Sequence, residues 1–391
     1  MKPISLSSFL ALAICTISCA GFASTGEPFY GDPPDDRHAW CVHDWNRPQP
    51  PRVEPKPLVD AKPPKDAVVL FNGTETAVTN WEADKPGSEP TKWMVKDGVF
   101  QCVPKSGYVR TKAKFGDCHL HVEWASPTPP QGESQGRGNS GIFLMGLVEI
   151  QVLDNYNNPT YADGFACSVY GVNPPLANAL RPPGEWQQID IEFRHPVYED
   201  NRCVAPGFVT VYCNGVLVQD HTQLEGPTGH KARSKPRPFP EVGPLKLQDH
   251  GNPVRYRNIW YQPLPARTAA DVVKCGPLSA EEVLAKRKEI AVTVRESAQQ
   301  KPAQSVDQML RLAESLVYEK DEATYNNVER LAAADIASIK TLSTAQIQTK
   351  KDEVKRISHA FQYLAKFKII DANDAAWLEI ASFAKAHGWE K

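Results

Sequence analysis

Short runs in which apolar and polar residues alternate fill the middle of the 391-residue chain. Clear examples are His119–Trp124, Val148–Leu153 and Gln188–Phe193. A period of two residues places one face of a strand in a core and leaves the other face polar. Turn-forming residues separate the runs, among them Asn214–Gly215 between two valine-rich stretches. Residues 67–265 are therefore predicted to form an antiparallel sandwich of two sheets.

The pattern changes in the last third of the chain. Glycine and proline become rare, and apolar residues recur three or four positions apart, as at Ile357, Phe361 and Leu364. This helical period predicts that residues 278–391 form a separate bundle of four or five helices. The bundle carries no chemical motif, so a packed structural domain is favoured over a partner-binding or spacing role.

The N-terminus has the composition of a secretory signal. One lysine precedes an apolar, serine-rich run that is too short to span a membrane comfortably, and small residues follow it. We expect residues 1–23 to be removed after Ala23, and the alternative is a lipid anchor on Cys19. Either outcome predicts an exported protein without a transmembrane span, which is periplasmic, secreted or anchored to the envelope. Residues 24–66 are rich in proline and are predicted to be an extended linker, part of which packs on the next domain.

Charge and cysteine content narrow the picture further. The chain has 44 Lys and Arg residues against 46 Asp and Glu residues, for a formal net charge of −2. No basic stripe is present, so nucleic acid is not an expected partner. The number of cysteines beyond the signal is odd, so at least one lies outside any intramolecular disulfide. Disulfides Cys203–Cys213 and Cys102–Cys118 are open alternatives, because each pair flanks a predicted hairpin or loop.

Several predicted strands carry polar side chains opposite their apolar face: Glu123, Glu149, Gln151, Asp190, Glu192, Lys246 and Gln248. If these strands share one sheet, that face is a polar trough. A catalyst needs convergent ionisable groups, whereas a binding module needs mainly exposed aromatic and amide side chains. The carboxylates of the trough therefore favour an enzyme.

Three groups of sequence strings are distinctive. They are Gly138–Phe143 with Glu149–Asp154, then Asn157–Gly164 with Asn178–Gln187, and then Leu224–His230 with Leu247–Val254 and Arg257–Trp260. In this order they resemble the 3-keto-disaccharide hydrolase family over about residues 66–262. The resemblance implies a concanavalin A-like jelly roll. It also implies cleavage of 3-keto-glycosides, including 3-keto-disaccharides, in which a sugar has been oxidised to a ketone at C3.

A ketone at C3 changes the chemistry of glycoside cleavage, because it acidifies the hydrogen on C2. Removing that proton gives an enediolate that can expel the substituent at C1, after which water can add. The reaction needs a base near C2, an acid near the glycosidic oxygen, and a hydrogen-bonding or positive group near the ketone oxygen. An ordinary glycosidase instead places two carboxylates across an oxocarbenium-like transition state. The residues of the predicted trough suit either reaction.

The expected catalytic residues are Glu149, His250 and Asp190. Glu149 begins a strand opposite its core face, and the alternative is a solvated strand residue. His250 can act as an acid or base near neutral pH, unless it only satisfies backbone groups of its loop. Asp190 either reaches the substrate or forms a structural salt bridge.

The expected substrate-binding residues are Gln151, Asp154, Tyr170, Arg181, Trp186, Lys246 and Gln248. Arg181 and Lys246 would stabilise the enolate or bind hydroxyls. An exposed ion pair is the alternative for both, and it is favoured for Arg181. Tyr170 and Trp186 would stack on a sugar ring or else anchor packing. Asp154 would orient a loop or hold a cation.

No metal ligands are assigned. His119 and His121 lie on one strand face, but nothing nearby in the sequence completes a zinc site. Calcium bound by loop oxygens stays open as a cofactor.

Two other functions stay open besides an enzyme acting on a carbohydrate. The first is a non-catalytic carbohydrate-binding module, because the same sandwich also serves lectins and fold does not fix function. The second is an envelope interaction protein whose working part is the helical domain.

Overall fold

A computed structural model describes residues 28–265, apart from residues 86, 88 and 200, and residues 280–389. An antiparallel β-sandwich comes first and a helical domain follows, which confirms the predicted fold class. The predicted signal peptide, residues 1–23 with Ala23, and the alternative anchor at Cys19 lie outside the described residues.

The β-domain is built from short strands. They are β1 (Val68–Phe71), β2 (Trp81–Ala83), β3 (Met94–Lys96), β4 (Val99–Gln101), β5 (Val109–Phe115), β6 (Cys118–Ala125), β7 (Ser140–Leu144), β8 (Val148–Val152), β9 (Gln187–Arg194), β10 (Val197–Glu199), β11 (Arg202–Ala205), β12 (Gly207–Cys213), β13 (Val216–Leu224), β14 (Gly243–Leu247) and β15 (Arg255–Pro263). The larger sheet has the order β13-β12-β9-β6-β15-β4-β3, and β1 also pairs with β15. A five-stranded sheet has the order β2-β5-β14-β7-β8, and β10 pairs with β11 as a separate hairpin.

The core lies between the two sheets. Leu120, Val122 and Trp124 of β6 are buried at 0–1% exposure, and so are Ile142 of β7 and Ile150 of β8. These residues belong to one apolar cluster. The alternation read from the sequence therefore supplies the inner face of each sheet, as in a two-layer sandwich.

The residues of the predicted polar trough do not share one sheet, and that expectation was wrong. Glu123, Asp190 and Glu192 lie on strands of the larger sheet, whereas Glu149 and Lys246 lie on strands of the five-stranded sheet. Because the two sheets pack through their apolar faces, their polar faces point to opposite sides of the sandwich.

The proline-rich stretch before the first strand is bound to the β-domain along much of its length. The Val53 amide donates to the Asn178 carbonyl at 3.0 Å, and the Lys56 amide donates to the Asn214 carbonyl at 3.0 Å. Further along, the Asn258 side chain donates to the Ala61 carbonyl at 2.8 Å. Only part of this stretch was expected to pack on the β-domain, and the structure shows that most of it does.

The helical domain contains α1 (Ala280–Gln299), α2 (Val306–Tyr318), α3 (Glu322–Lys340), α4 (Thr344–Thr349), α5 (Lys351–Lys366) and α6 (Ala375–Ala386). The side chains of Ser305, Asp321 and Asp374 accept hydrogen bonds from backbone amides at the starts of α2, α3 and α6. The described part therefore has six helices, one more than the upper expected number of five, since α4 is a short addition. Among the described residues, no helix is long and apolar enough to cross a membrane.

The described cysteines form no disulfide, so neither of the two alternatives is realised. Cys213 is buried and interacts with Cys167, whereas Cys203 lies on the surface. Cys102 is buried beside Asp249, a residue of the loop after β14.

Replacing Leu120 by alanine should test the central position of β6. Leu120 is fully buried between two neighbouring strands, so a cavity should lower the free energy of unfolding by about 2–5 kcal/mol. The matched control is Met94→Ala on β3, because Met94 is 50% exposed and its loss should cost less than about 0.5 kcal/mol. Urea unfolding followed by near-ultraviolet circular dichroism measures both, and equal losses would contradict this description of the core.

Candidate functional site on the five-stranded sheet

The outward face of the five-stranded sheet carries a row of functional side chains. Glu149 of β8 pairs with Phe143 of β7, and Phe143 pairs with Lys246 of β14. Residues directly opposite each other in an antiparallel pair project to the same side. A second pair, Gly141 with Gln151, lies beside this row. We call this surface the polar face: Tyr108, Gly141, Phe143, Glu149, Gln151, Lys246 and Gln248.

Glu149 is the most unusual group on the polar face. It is only 6% exposed, and burial raises the pKa of its carboxyl from 4.5 to about 8. Among the described residues, no cation or hydrogen-bond donor compensates this shift. Gly141 makes room for the group, because a Cβ there would lie 2.3 Å from Glu149 Oε1. The carboxyl therefore titrates close to neutral pH.

Amide side chains around Glu149 have unused acceptors. Gln151 donates through Nε2 to Gln135 Oε1 at 2.9 Å, and Gln248 donates through Nε2 to the Tyr108 hydroxyl at 2.7 Å. The Oε1 atoms of Gln151 and Gln248 are buried, and no described group donates to them. The same is true of Oδ1 of Asn139. Buried acceptors are normally satisfied, so these oxygens indicate a ligand that supplies donors.

One wall of the site is formed by aromatic residues joined by hydrogen bonds. The Tyr170 hydroxyl lies 2.8 Å from the Tyr161 hydroxyl and 3.0 Å from Nδ1 of His230. The Tyr170 amide also donates to the Glu149 carbonyl at 3.1 Å, which fixes this wall against β8. Burial, followed by the nearby charge of Glu149, raises the pKa of Tyr170, so its hydroxyl keeps its proton at neutral pH.

His230 is accessible to solvent but electrostatically perturbed. Desolvation, followed by the nearby groups His43, Lys231 and His250, lowers its pKa to about 4. The His230 ring is therefore neutral at pH 7 and able to accept or pass on a proton through either nitrogen.

Lys246 lies on the polar face but is held by an ion pair. Its Nζ is 2.8 Å from Asp84, and Arg110 in the neighbouring strand binds Glu82 at 2.7 Å. These pairs lie on the side of the sheet formed by β2, β5 and β14, away from the uncompensated Glu149 on β8.

His250 lies in the exposed loop after β14. The loop is fixed by Asp249, whose carboxylate accepts from the amides of Gly251 and Gly107 at 2.9 Å each. His250 is close enough to His230 to lower the pKa of that residue. The structure thus brings His250 to the rim of the same site.

Asp190 lies on the larger sheet, on the opposite side of the sandwich from Glu149. It accepts a hydrogen bond from His121 at 2.7 Å, and His119 lies 3.6 Å away. Although burial alone would raise the pKa of Asp190, the two histidines lower it to about 2. The structure places Asp190 in the salt bridge that the sequence left as the alternative.

Three of the expected substrate-binding residues also lie outside the cluster around Glu149. Trp186 packs under the Arg257 guanidinium at 4.1 Å, beside Glu123 on the larger sheet. Arg181 donates to the Lys56 carbonyl and holds the proline-rich stretch. Asp154 forms an ion pair with Arg137 at 2.9 Å and accepts from the Tyr156 amide, so it orients its loop.

Several residues of the site were not predicted: Tyr108, Gln135, Tyr161 and His230. Tyr161 and His230 stand inside sequence strings that support the family resemblance, which was the available signal. Their chemical partners are distant in sequence, so no spacing rule could have joined them to Glu149.

The residues that could hold a metal are limited. No group of three or more His, Cys, Asp or Glu side chains suited to a metal occurs in the part of the chain that the structure describes. A hard cation such as calcium prefers oxygen ligands. On the polar face these would be Glu149 with the free amide oxygens of Gln151 and Gln248.

The family model that matches this sandwich places it in the class of carbohydrate-active enzymes. The chain belongs to the 3-keto-alpha-glucoside-1,2-lyase-like domain family, whose model matches residues 66–262. The resemblance to the 3-keto-disaccharide hydrolase family is thereby confirmed.

The chain is similar to several solved structures. A "putative glycosyl hydrolase" from Parabacteroides distasonis ATCC 8503 is 43% identical, with a TM-score of 0.50, and the match covers 56% of this chain and 93% of that one. A second protein of the same description and organism is 19% identical, covers 51% and 95% of the two chains, and has a TM-score of 0.37. Alginate lyase Aly36B is 10% identical, covers 53% and 100%, and has a TM-score of 0.32. No curated protein matches the chain.

The raised pKa of Glu149 should make stability depend on pH. Between about pH 4.5 and pH 8 the folded protein keeps a proton that the unfolded chain releases, so stability is highest below this window and falls as pH rises through it. Replacing Glu149 by glutamine should remove this loss, which amounts to at most about 1.4 kcal/mol per pH unit. Urea unfolding at pH 5, 6.5 and 8 measures the difference.

The control for this prediction is Glu192→Gln, because the Glu192 side chain is 58% exposed. A wild-type stability that does not fall relative to Glu149→Gln would refute the assigned pKa shift.

Proposed function

We propose that this protein cleaves 3-keto-glycosides, including 3-keto-disaccharides, by removing the proton next to the ketone and expelling the substituent at C1. The observation that carries the proposal is the carboxyl of Glu149, which is buried, uncompensated and titrates near neutral pH. Such groups are typical of general acid–base sites. Membership of the family supports the same substrate class.

Glu149 acts as the base in this proposal. Its ionised form takes the proton from C2, and the electron pair of the C–H bond forms the enediolate with the C3 ketone. That pair then forms the double bond between C1 and C2 while the C1–O bond breaks. Water adds to the product to complete hydrolysis, and without this addition the reaction is an elimination. A base with a pKa near the working pH combines sufficient ionisation with sufficient basicity.

The leaving oxygen needs a proton, and Tyr170 and His230 are the proposed source. The Tyr170 hydroxyl is protonated and joined to the His230 ring, which is in contact with solvent. A proton given by Tyr170 can therefore be replaced through His230. His250, at the rim of the site, is an alternative acid in the same position. Lys246, on the same face but away from Glu149, is proposed to bind a sugar hydroxyl while it stays paired with Asp84.

Sugar recognition is proposed to use the unused acceptors. The hydroxyl groups of a sugar can donate hydrogen bonds, and the buried Oε1 atoms of Gln151 and Gln248 accept none from the described residues. On the N-terminal signal pattern, the proposed location is outside the cytoplasm, in the periplasm, secreted or anchored to the envelope through Cys19.

Product release from 3-keto-trehalose and 3-keto-lactose is the direct test. We expect cleavage of these sugars and not of the parent disaccharides, with Glu149→Gln slowing the reaction by about 10²–10⁴-fold. The value of kcat/KM should rise with pH up to about 8, because the ionised form of Glu149 is the base. Glu192→Gln is the control and should keep full activity. A folded protein that binds the keto sugars without cleaving them, with and without calcium, would instead be a carbohydrate-binding module.

The space opposite Glu149 gives a second test. Replacing Gly141 by alanine puts a Cβ 2.3 Å from Glu149 Oε1 and 2.9 Å from the Phe143 ring, so the carboxyl must move. We expect kcat to fall by about 10²-fold, because a shift near 1 Å misplaces the base. The control Gly136→Ala adds a Cβ that meets nothing within 4 Å. Full activity in Gly141→Ala would argue against Glu149 as the base.

A further inference from the structure

The segment of residues 28–47 is shared between the two domains. Phe29 and Ala39 belong to the apolar core of the helical domain. The Phe29 ring packs on Tyr363 of α5 with centroids 5.2 Å apart, and the Tyr363 hydroxyl donates to the Gly31 carbonyl at 2.7 Å. One end of the segment is therefore built into the helical bundle.

A buried polar network attaches the other end of the segment to α2. The Tyr318 hydroxyl donates to the Asp44 carboxylate, and both groups are buried. The Asn46 side chain donates to Glu314 at 2.7 Å and accepts from Arg311 at 2.7 Å. Buried groups of this kind are costly to leave unpaired, so the network holds the segment firmly.

Between these two attachments, His43 reaches into the wall of the candidate site. The His43 ring is fully buried, with Nδ1 3.2 Å from the Asp163 carboxylate, and the His43 amide donates to the same carboxylate at 2.9 Å. It stacks on Tyr161 with centroids 4.1 Å apart and lies 4.8 Å from the Tyr170 ring. His43 thus backs the hydrogen-bonded wall described above.

Tyr30 reaches His230 from the same segment. Its hydroxyl lies 3.4 Å from Nε2 of His230, while Nδ1 of that ring contacts Tyr170 at 3.0 Å. The Tyr30 ring is covered by Lys231, whose Nζ lies 3.6 Å from the ring centroid. Each ring nitrogen of His230 therefore has its own contact: Nδ1 with Tyr170 of the β-domain, and Nε2 with Tyr30 of the N-terminal segment.

We propose that the helical domain holds residues 28–47 in place so that Tyr30 and His43 position His230 beside Tyr170 in the sugar site. Tyr30 and His43 are positioning residues in this arrangement, because they act through His230 and the aromatic wall. A role of His230 in sugar cleavage rests on the proposed function. The positioning of its ring by Tyr30 and His43 is independent of that function. The helical domain, which lies outside residues 66–262 matched by the family, then supports the site instead of binding a substrate of its own.

The electrostatic surroundings of His230 give a readout that is independent of activity. The groups that face the ring are Tyr30, His43, Tyr170, Lys231 and His250. A loosened segment would admit water and move His43 away, and both changes favour the protonated ring. Release of the segment should therefore raise the pKa of His230 from about 4 towards 6.5.

The experiment compares Tyr30→Phe and Asn46→Ala with the full-length parent by NMR of histidine ring carbons and by kinetics. Replacing Asn46 cuts the link to α2 far from the sugar site, and we expect a rise of at least about one pH unit in the pKa of His230. Tyr30→Phe keeps the ring and removes only the hydroxyl at Nε2, so the ring tautomer signal should change while the fold is kept. In both variants kcat should fall by about tenfold, with KM changing much less.

The matched control is Arg356→Gln, which breaks an exposed ion pair with Asp307 inside the helical domain. It should leave the His230 signal and the kinetics unchanged. An unchanged His230 signal in both Tyr30→Phe and folded Asn46→Ala would overturn the inference, whatever the activity. A changed signal in a protein that cleaves no keto sugar would retain the positioning and reject the proposed function.

Discussion

The register between β7 and β8 is the constraint on which the site depends. It places Gly141 and Phe143 beside Gln151 and Glu149 on the outward face, while Ile142 and Ile150 fill the core. A slip of one residue would exchange the faces and bury the carboxyl among apolar side chains. The absence of a side chain at Gly141 then lets the Glu149 carboxyl fold down onto the sheet, where it loses most of its water. Register and one missing Cβ together account for its raised pKa.

The pKa values of two carboxylates, Asp190 and Glu149, are shifted in opposite directions, which distinguishes a stabilising group from a candidate functional one. Asp190 is paired with His119 and His121, and its pKa falls to about 2, so it stays ionised and stabilises the larger sheet. Glu149 is buried without compensation, and its pKa rises to about 8. A protein gains nothing in stability from a buried carboxyl without partners, so such a group is a sign of function. The same reasoning applies to the unsatisfied amide oxygens of Gln151 and Gln248, which lie beside it.

The N-terminal segment contacts both the helical domain and the aromatic residues beside β8. The segment is bound to the helices through Asp44 and Asn46 and to the aromatic wall through His43. A catalytic group is effective only when its supporting residues restrict its motion. In the proposed arrangement that support comes from residues distant in sequence on both sides of the wall, in the N-terminal segment and in α2.

The amino-acid sequence determined much of the architecture by itself. The period of two residues identified the inner face of β6 and β8, and the helical period separated the second domain, because these patterns depend only on neighbouring residues. Glu149 and Gln151 could be placed together for the same reason, since they are two positions apart on one strand. Only the tertiary structure decided that Asp190 and Trp186 lie on the side of the larger sheet. It also decided that Tyr161 and His230 meet at Tyr170, with Tyr30 on the other side of His230. Those outcomes depend on which distant strands and loops pair. The local pattern of a strand is the same whichever sheet the strand joins. It also does not show which charged groups will surround a buried residue after the chain has folded.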